Sequence, residues 1–194
     1  MLALVGYTSA GKSTLLNSLT DAGQIVSPGL FTTLDPLSKN LRLGNGENIV
    51  ISDTVGFLRK LPHHLVEAFK ATLEEVVQAD LLIHLLDASH PHVYEHNKSV
   101  FTVLKELGVE DKPVITVLNK IDLVDDKMWL EKLKRDFPGS IPISAKLRQN
   151  LELLLKEIQD NFSGRMIQLE LLLAHQRMDI VDLCYRQGKV EDVE

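Results

Sequence analysis

The chain has 194 residues, 44% hydrophobic and 25% charged, with a formal net charge of −6 and one cysteine. That length can bury a real core, no span reaches the roughly 20 apolar residues of a membrane helix, and the start lacks the charged-then-apolar pattern of a cleaved leader. The acidic balance argues against a broad nucleic-acid-binding surface, and Cys184 has no second cysteine for a disulfide, so a cytoplasmic or organelle-interior protein is expected.

Met1 to Val5 is an apolar, strand-like run. It stops at Gly6-Tyr7-Thr8-Ser9-Ala10-Gly11-Lys12-Ser13-Thr14, and Leu15-Leu16-Asn17-Ser18-Leu19 continues as a helix. A glycine-bounded turn between strand and helix is a phosphate-binding loop. Its backbone N–H groups converge on phosphate oxygens, Lys12 reaches the outer phosphates and the Ser13 hydroxyl can ligate magnesium. The sequence therefore predicts a nucleoside triphosphate site.

Residues 23 to 36 hold Pro28 and Gly29 and show neither helical nor strand period, so they read as a mobile loop. Within it Phe31, Thr32 and Thr33 are expected to meet the nucleotide, with Thr33 rather than Thr32 ligating magnesium when the terminal phosphate is present. Asn40 to Gly46 is expected to form a hairpin with the next strand, because Gly44-Asn45-Gly46 is a turn signal. That strand, Asn48 to Ser52, ends in Asp53-Thr54-Val55-Gly56. Asp53 could hold a magnesium-bound water there and the Gly56 N–H could meet the terminal phosphate. Arg59, Lys60, His63, His64 and Lys70 then form a basic group, read either as a nucleotide-gated patch or as a solvated loop.

Leu65 to Gln78 has helical periodicity, and Ala79 to Ala88 is a run expected of a strand covered on both faces, with His84 as a satisfied core or half-buried histidine rather than a ligand. His90, His92 and His96 surround a Pro91-containing loop without consistent i, i+4 pairing or a cysteine, which disfavours zinc. Residues 93 to 108 read as a helix. Pro113 to Leu118 is an apolar strand running into Asn119-Lys120-Ile121-Asp122, or NKxD. A carboxylate at Asp122 accepts from the ring N–H and exocyclic amino group of guanine, whereas adenine offers an acceptor there, so GTP is the expected ligand. The Asn119 amide would brace the loops and the Lys120 stem would lie along the purine.

A helix is expected over 125 to 136, then a last short strand, Ile141-Pro142-Ile143, whose Ser144-Ala145-Lys146 loop closes over the base with backbone N–H groups, then a helix over 147 to 160. Strands alternating with helices give an α/β fold: a mostly parallel six-stranded sheet with helices on both faces and the nucleotide at the carboxyl ends of its strands. Phe162-Ser163-Gly164 marks a boundary, dividing a nucleotide-binding domain over 1–162 from a small β-α-β unit over 163–194. The unit is read as a strand at 166–173, a helix at 176–186 that places Cys184 as a small core residue with Ile180, Val181 and Leu183, and a strand at 189–193. The unit is too short to bury its own core, and a fragment of a larger protein is expected.

Together GYTSAGKST, LFTTLDP, DTVGFL, NKID and SAK resemble the GTPase domain of the HflX family, in the translation-associated branch of the Ras-like P-loop GTPases. The most specific pieces are Gly6-Tyr7-Thr8, Phe31 to Pro36, and Asp53 to Phe57 continuing through Leu61-Pro62-His63 and Leu65 to Phe69. The tail after Gly164 is similar to the small unit that follows the domain in that family, whose amino-terminal region has no counterpart here. The resemblance implies magnesium-dependent hydrolysis of GTP to GDP and phosphate, stimulated by the large ribosomal subunit, in ribosome rescue, splitting or biogenesis. Much of the family's ribosome contact lies in the region without a counterpart, so GTP binding and ribosome binding are separable here. A GTP-gated binding module with negligible hydrolysis is the alternative. No membrane partner is implied, and the chain is expected to be a monomer.

Two positions bear on rate. Phe57 stands where Ras-type enzymes have a glutamine that orients the attacking water, so no catalytic residue is identified and unaided hydrolysis is expected to be slow. Ser9 stands where several related GTPases have a potassium-binding asparagine, and weak or absent potassium stimulation is expected.

Overall fold

In the computed structural model, which describes residues 1–22, 38–44, 46–53, 74–163, 170–173, 177–187 and 190, the strand Leu2–Gly6 (β1) is buried at every position. Its unbroken apolar sequence suits a strand covered on both faces. Lys12–Ala22 (α1) follows the glycine-bounded turn. Ser38–Arg42 (β2) and Asn48–Asp53 (β3) form the expected hairpin. Its turn closes through Leu43 N–H to the Glu47 carbonyl at 2.8 Å, with Gly46 at φ 89°. β1 lies parallel between β3 and Leu81–Asp87 (β4). β4 pairs with Val114–Asn119 (β5) and β5 with Ile141–Pro142 (β6), both parallel. The resulting order, β2-β3-β1-β4-β5-β6, is a six-stranded sheet with only β2 antiparallel, as the alternation of strands and helices predicts.

Side-chain alternation assigns the helices to faces. Leu2 and Leu4 of β1 and Ile83 and Leu85 of β4 pack with Leu15 and Leu19 of α1 and with Leu154 and Ile158 of Leu151–Ser163 (α5). Ala3, Val5 and Leu82 point the other way, onto Val76 of Glu74–Gln78 (α2) and Val100 and Leu104 of Val93–Glu106 (α3). Leu86 and Leu118, with Val93 of α3, meet Leu133 of Lys127–Asp136 (α4).

Several boundaries differ from the sequence reading for identifiable reasons. β4 starts at Leu81 rather than Ala79, because the Ala79 N–H still bonds the Glu75 carbonyl of α2 at 2.9 Å. α4 starts at Lys127 because the Asp126 side chain caps it, accepting from Met128 N–H at 2.8 Å. α5 starts at Leu151, not 147: Ser144 and Gln149 form a bridge and Arg148 and Asn150 take φ of 55° and 58°, so these residues make a tight loop.

The chain divides into two compact units, Met1–Gly164 and Arg165–Glu194. In the second, Met178–Gln187 (α6) matches the expected helix and Cys184 is half-buried on it. The expected strand at 166–173 is represented by 170–173, which among the described residues make no ladder; 166–169 and nearly all of 189–193 lie outside them. Also outside are the loop at 23–36 with Phe31, Thr32 and Thr33, the residues Thr54, Val55, Gly56 and Phe57, the basic group from Arg59 to Lys70, and the start of the helix expected at 65–78. No helix among the described residues is long and apolar enough to cross a membrane.

His84 sits in mid-β4, 0% exposed, on the face toward α3, where its ring meets Phe101 edge-on at 5.1 Å. Among the described residues neither ring nitrogen has a hydrogen-bond partner, so it is buried but not the satisfied histidine the sequence suggests, and burial pushes its pKa from 6.5 down to about 4. The folded value lies below the unfolded one, so the stability linked to this group is complete above pH 6.5 and is lost as pH falls toward 4. Between pH 7 and pH 5 the loss is about 2 kcal/mol. His84→Leu is expected to remove that part of the pH dependence in urea titrations at the two pH values, and an unaltered slope would contradict the assignment.

Candidate nucleotide-binding site

The turn after β1 is built by backbone constraint. Ser9 takes φ 62° and Gly11 φ 100°; the former costs a non-glycine residue about 1 to 3 kcal/mol and persists only where its surroundings over-determine it. Ala10 N–H closes the turn on the Tyr7 carbonyl at 3.1 Å, and Leu15 N–H bonds the Gly11 carbonyl at 2.9 Å as α1 begins. Gly11 is required twice over, since a Cβ there would lie 2.4 Å from Asn119 Nδ2. Thr8 is half-buried, while Ser9, Ser13 and Thr14 are exposed. The first N–H groups of α1, at Lys12, Ser13 and Thr14, have no carbonyl one turn earlier in the helix and form a ready anion site.

Lys12 is 7% exposed, and its Nζ donates to the Gly6 carbonyl at 3.1 Å and the Tyr7 carbonyl at 3.3 Å. Burial lowers its pKa, opposed by the charge of Asp53. Asp53, at the carboxyl end of β3, accepts from the Ser13 hydroxyl at 2.5 Å through Oδ2, while its buried Oδ1 meets no partner among the described residues. A serine hydroxyl beside a carboxylate with an unused oxygen is the hard-oxygen donor set that magnesium takes. Ser13 and Asp53 therefore fit this metal, and Thr33 lies outside the described residues.

The β5 end is organised by one amide. Asn119, 2% exposed, donates through Nδ2 to the Ala10 carbonyl at 2.8 Å and accepts at Oδ1 from Ala145 N–H at 3.0 Å, tying the phosphate loop to the loop after β6. Lys120 follows in the left-handed region at φ 65°, and its Nζ pairs with Asp87 Oδ2 at 2.6 Å. Asp122 is the middle residue of a single 3-10 turn, Ile121–Leu123, and its buried Oδ1 has no hydrogen-bond partner among the described residues. Ser144 N–H is held by the Gln149 carbonyl at 3.3 Å, the Ser144 hydroxyl accepts from Leu147 N–H at 3.1 Å, and Lys146 is exposed. The Ala145 carbonyl accepts from the buried Ser18 hydroxyl of α1 at 2.7 Å.

Two unsatisfied carboxylate oxygens thus mark the ends of β3 and β5, with β1 and β4 between them. Three inter-strand steps span about 14 Å, a length suited to a nucleoside triphosphate lying across the sheet edge. Sequence reasoning missed Asp87 and Ser18. Asp87 had a visible signal, an acidic residue closing a buried apolar run, but its pairing with Lys120 depends on the register that sets it opposite Asn119. His90, His92 and His96 meet ring to ring, with centroids 5.7 Å apart for His90 and His92 and 4.3 Å for His90 and His96. Among the described residues no group of three or more His, Cys, Asp or Glu is placed to hold a metal ion.

The sequence model of a family described as 50S ribosome-binding GTPase matches residues 1–120. Over 188 residues, 97% of this chain, the sequence is 43% identical to a GTPase HflX from Lacrimispora saccharolytica, of which it spans 44%. Among solved structures, a GTP-binding protein from the archaeon Sulfolobus solfataricus, in complex with GDP, is similar with a TM-score of 0.68 and 35% identity over 85% of this chain and 53% of that one. Era, solved with MgGDPNP and nucleotides of 16S ribosomal RNA, gives a TM-score of 0.57 and 30% identity over 89% of this chain and 58% of its own. The chain thus spans less than half of the HflX relative and somewhat over half of each solved neighbour. The phosphate loop, the carboxylates ending β3 and β5 and these likenesses agree: the chain belongs to the 50S ribosome-binding GTPase family, on its HflX branch.

Proposed function

We propose that the chain binds GTP with magnesium and hydrolyses it to GDP and phosphate, and that turnover serves the large ribosomal subunit in rescue, splitting or biogenesis, in the cytoplasm or an organelle interior. The observation that carries the nucleotide choice is the buried Oδ1 of Asp122, which has no partner among the described residues. A carboxylate in that condition is stabilised by a ligand with two adjacent N–H donors, which guanine has and adenine lacks. The GDP and MgGDPNP held by the two solved neighbours support the ligand class. The family description supports the ribosome.

In this reading Lys12 and the first N–H groups of α1 bind the phosphates, Asn119 keeps the phosphate loop and the base-side loop in register, and Lys120, steered by Asp87, lines the purine. Magnesium, when bound, neutralises charge shared by the outer phosphates; Ser13 would hold it directly, Asp53 through water and Thr33 as the residue that reports the terminal phosphate. The sequence supplies no glutamine after the DxxG residues to orient water, since Phe57 stands there. That substitution favours a second reading, a GTP-gated module that hydrolyses little by itself.

Calorimetry should find GTP bound at least about 100-fold more tightly than ATP; equal competition by ATP would remove the base assignment. Phosphate release is expected to be slow alone and to rise with large ribosomal subunits. A flat response at saturating subunits would leave only the gated module.

A further inference from the structure

The phosphate loop is held from two sides. At Ala10 the hold is the Asn119 amide; at Tyr7 it is a ring. The Tyr7 phenol and the His96 imidazole lie face to face, centroids 3.8 Å apart and planes 7° from parallel. His96 is fixed in the first turn of α3 by its N–H, which bonds the His92 carbonyl at 3.0 Å. His90 leans on its edge at 4.3 Å and 40°. The three imidazoles and Asp87 form the wall of a cleft of about 400 Å³ whose other side is Tyr7 to Ala10.

The position of the Tyr7 ring matters because of its own carbonyl, which accepts both the Ala10 N–H that closes the strained turn and the Lys12 ammonium. A tyrosine free to swing would let that carbonyl rotate, and the turn at Ser9 would lose part of what holds it in a left-handed conformation. We propose that His96 is a positioning residue for nucleotide binding: by clamping Tyr7 it fixes the turn that aims Lys12 and the α1 N–H groups at the phosphates. This inference rests on the GTP-binding reading above.

The clamp is a stack of neutral rings rather than a charge aimed at phosphate. Burial, His90 and His92 lower the His96 pKa, and Asp87 and Glu95 oppose them without reversing the direction. An aromatic ring without titrating nitrogens should therefore replace it.

The test is GTP affinity, by titration of the whole chain with a fluorescent GTP analogue, for His96→Ala, His96→Leu, His96→Phe, Tyr7→Ala and the Tyr7→Ala/His96→Ala double variant, with thermal stability read in parallel. His96→Ala and His96→Leu should each weaken binding about fivefold, the scale of one aromatic pair. His96→Phe should restore it to within about twofold, and the double variant should be no weaker than Tyr7→Ala alone. Losses that add in the double variant, or a phenylalanine variant as weak as the alanine one, would overturn the clamp. A wild-type chain that failed to bind the analogue would instead remove the GTP reading.

Discussion

Asp122→Asn is expected to lower GTP affinity at least about 100-fold and to raise affinity for xanthosine triphosphate by a similar factor. In the wild-type chain this carboxylate has a buried oxygen that no group among the described residues satisfies. Two charge-assisted hydrogen bonds to the guanine edge would answer that oxygen, each contributing about 1.5 to 3 kcal/mol. Asparagine keeps one acceptor but turns an N–H₂ group toward the exocyclic amino group of guanine, setting donor against donor. Xanthine carries a carbonyl there and accepts from the same amide. The measurement is paired calorimetry with GTP and xanthosine triphosphate; retained guanine preference would show that another residue reads the base.

Lys12→Ala should abolish detectable GTP binding while leaving the unliganded chain as stable as before, or more so. The two halves of that expectation have one origin. Lys12 is a buried ammonium whose pKa is lowered by desolvation, against the opposing charge of Asp53, and a cation depressed below its unfolded value costs folding stability wherever the unfolded chain would carry the proton. The carbonyls of Gly6 and Tyr7 satisfy its hydrogen bonds without returning the full hydration of the charge. A triphosphate does return it, so the loss on removal should exceed about 100-fold in affinity, about 3 kcal/mol. Thermal denaturation with and without magnesium-GTP separates the terms. A variant that binds as before, or whose unliganded melting point collapses, would contradict this account. Strain kept at a site for the sake of its ligand is the usual form of a stability–function trade-off.

The parts of this site that sequence exposes are those in which chemistry and local conformation coincide. Lys12 and Ser13 stand where an apolar run must end and a helix begin, and the ends of two further strand-like runs place Asp53 last in β3 and Asn119 last in β5. The parallel sense of most of the sheet follows from alternation, and the antiparallel β2–β3 pair from its glycine turn, whereas the strand order is visible only in the fold. What escaped is what depends on register or on a helix's angle of entry. The Lys120–Asp87 ion pair needs β4 and β5 aligned residue for residue. The Tyr7–His96 stack needs more than the start of α3 at Val93, which the sequence does show; it needs the first turn of that helix to lie against the loop after β1. In the sequence, histidines on either side of a proline are candidates for metal ligation; in space their rings lie tilted against one another, and His90 Nδ1 accepts from the His92 N–H at 3.1 Å. The late start of α5 was likewise hidden, because the left-handed residues Arg148 and Asn150 are not glycines.

In the proposed reading, the single Asn119 side chain, bonded at one end to Ala10 and at the other to Ala145, would make choosing a purine and holding its phosphates one mechanical act. A designer wishing to retune nucleotide preference in this scaffold can edit Asp122 as an independent dial. Altering Asn119 would unseat both ends of the ligand together, so the rigidity that lends the fold its selectivity also narrows the routes by which that selectivity can drift.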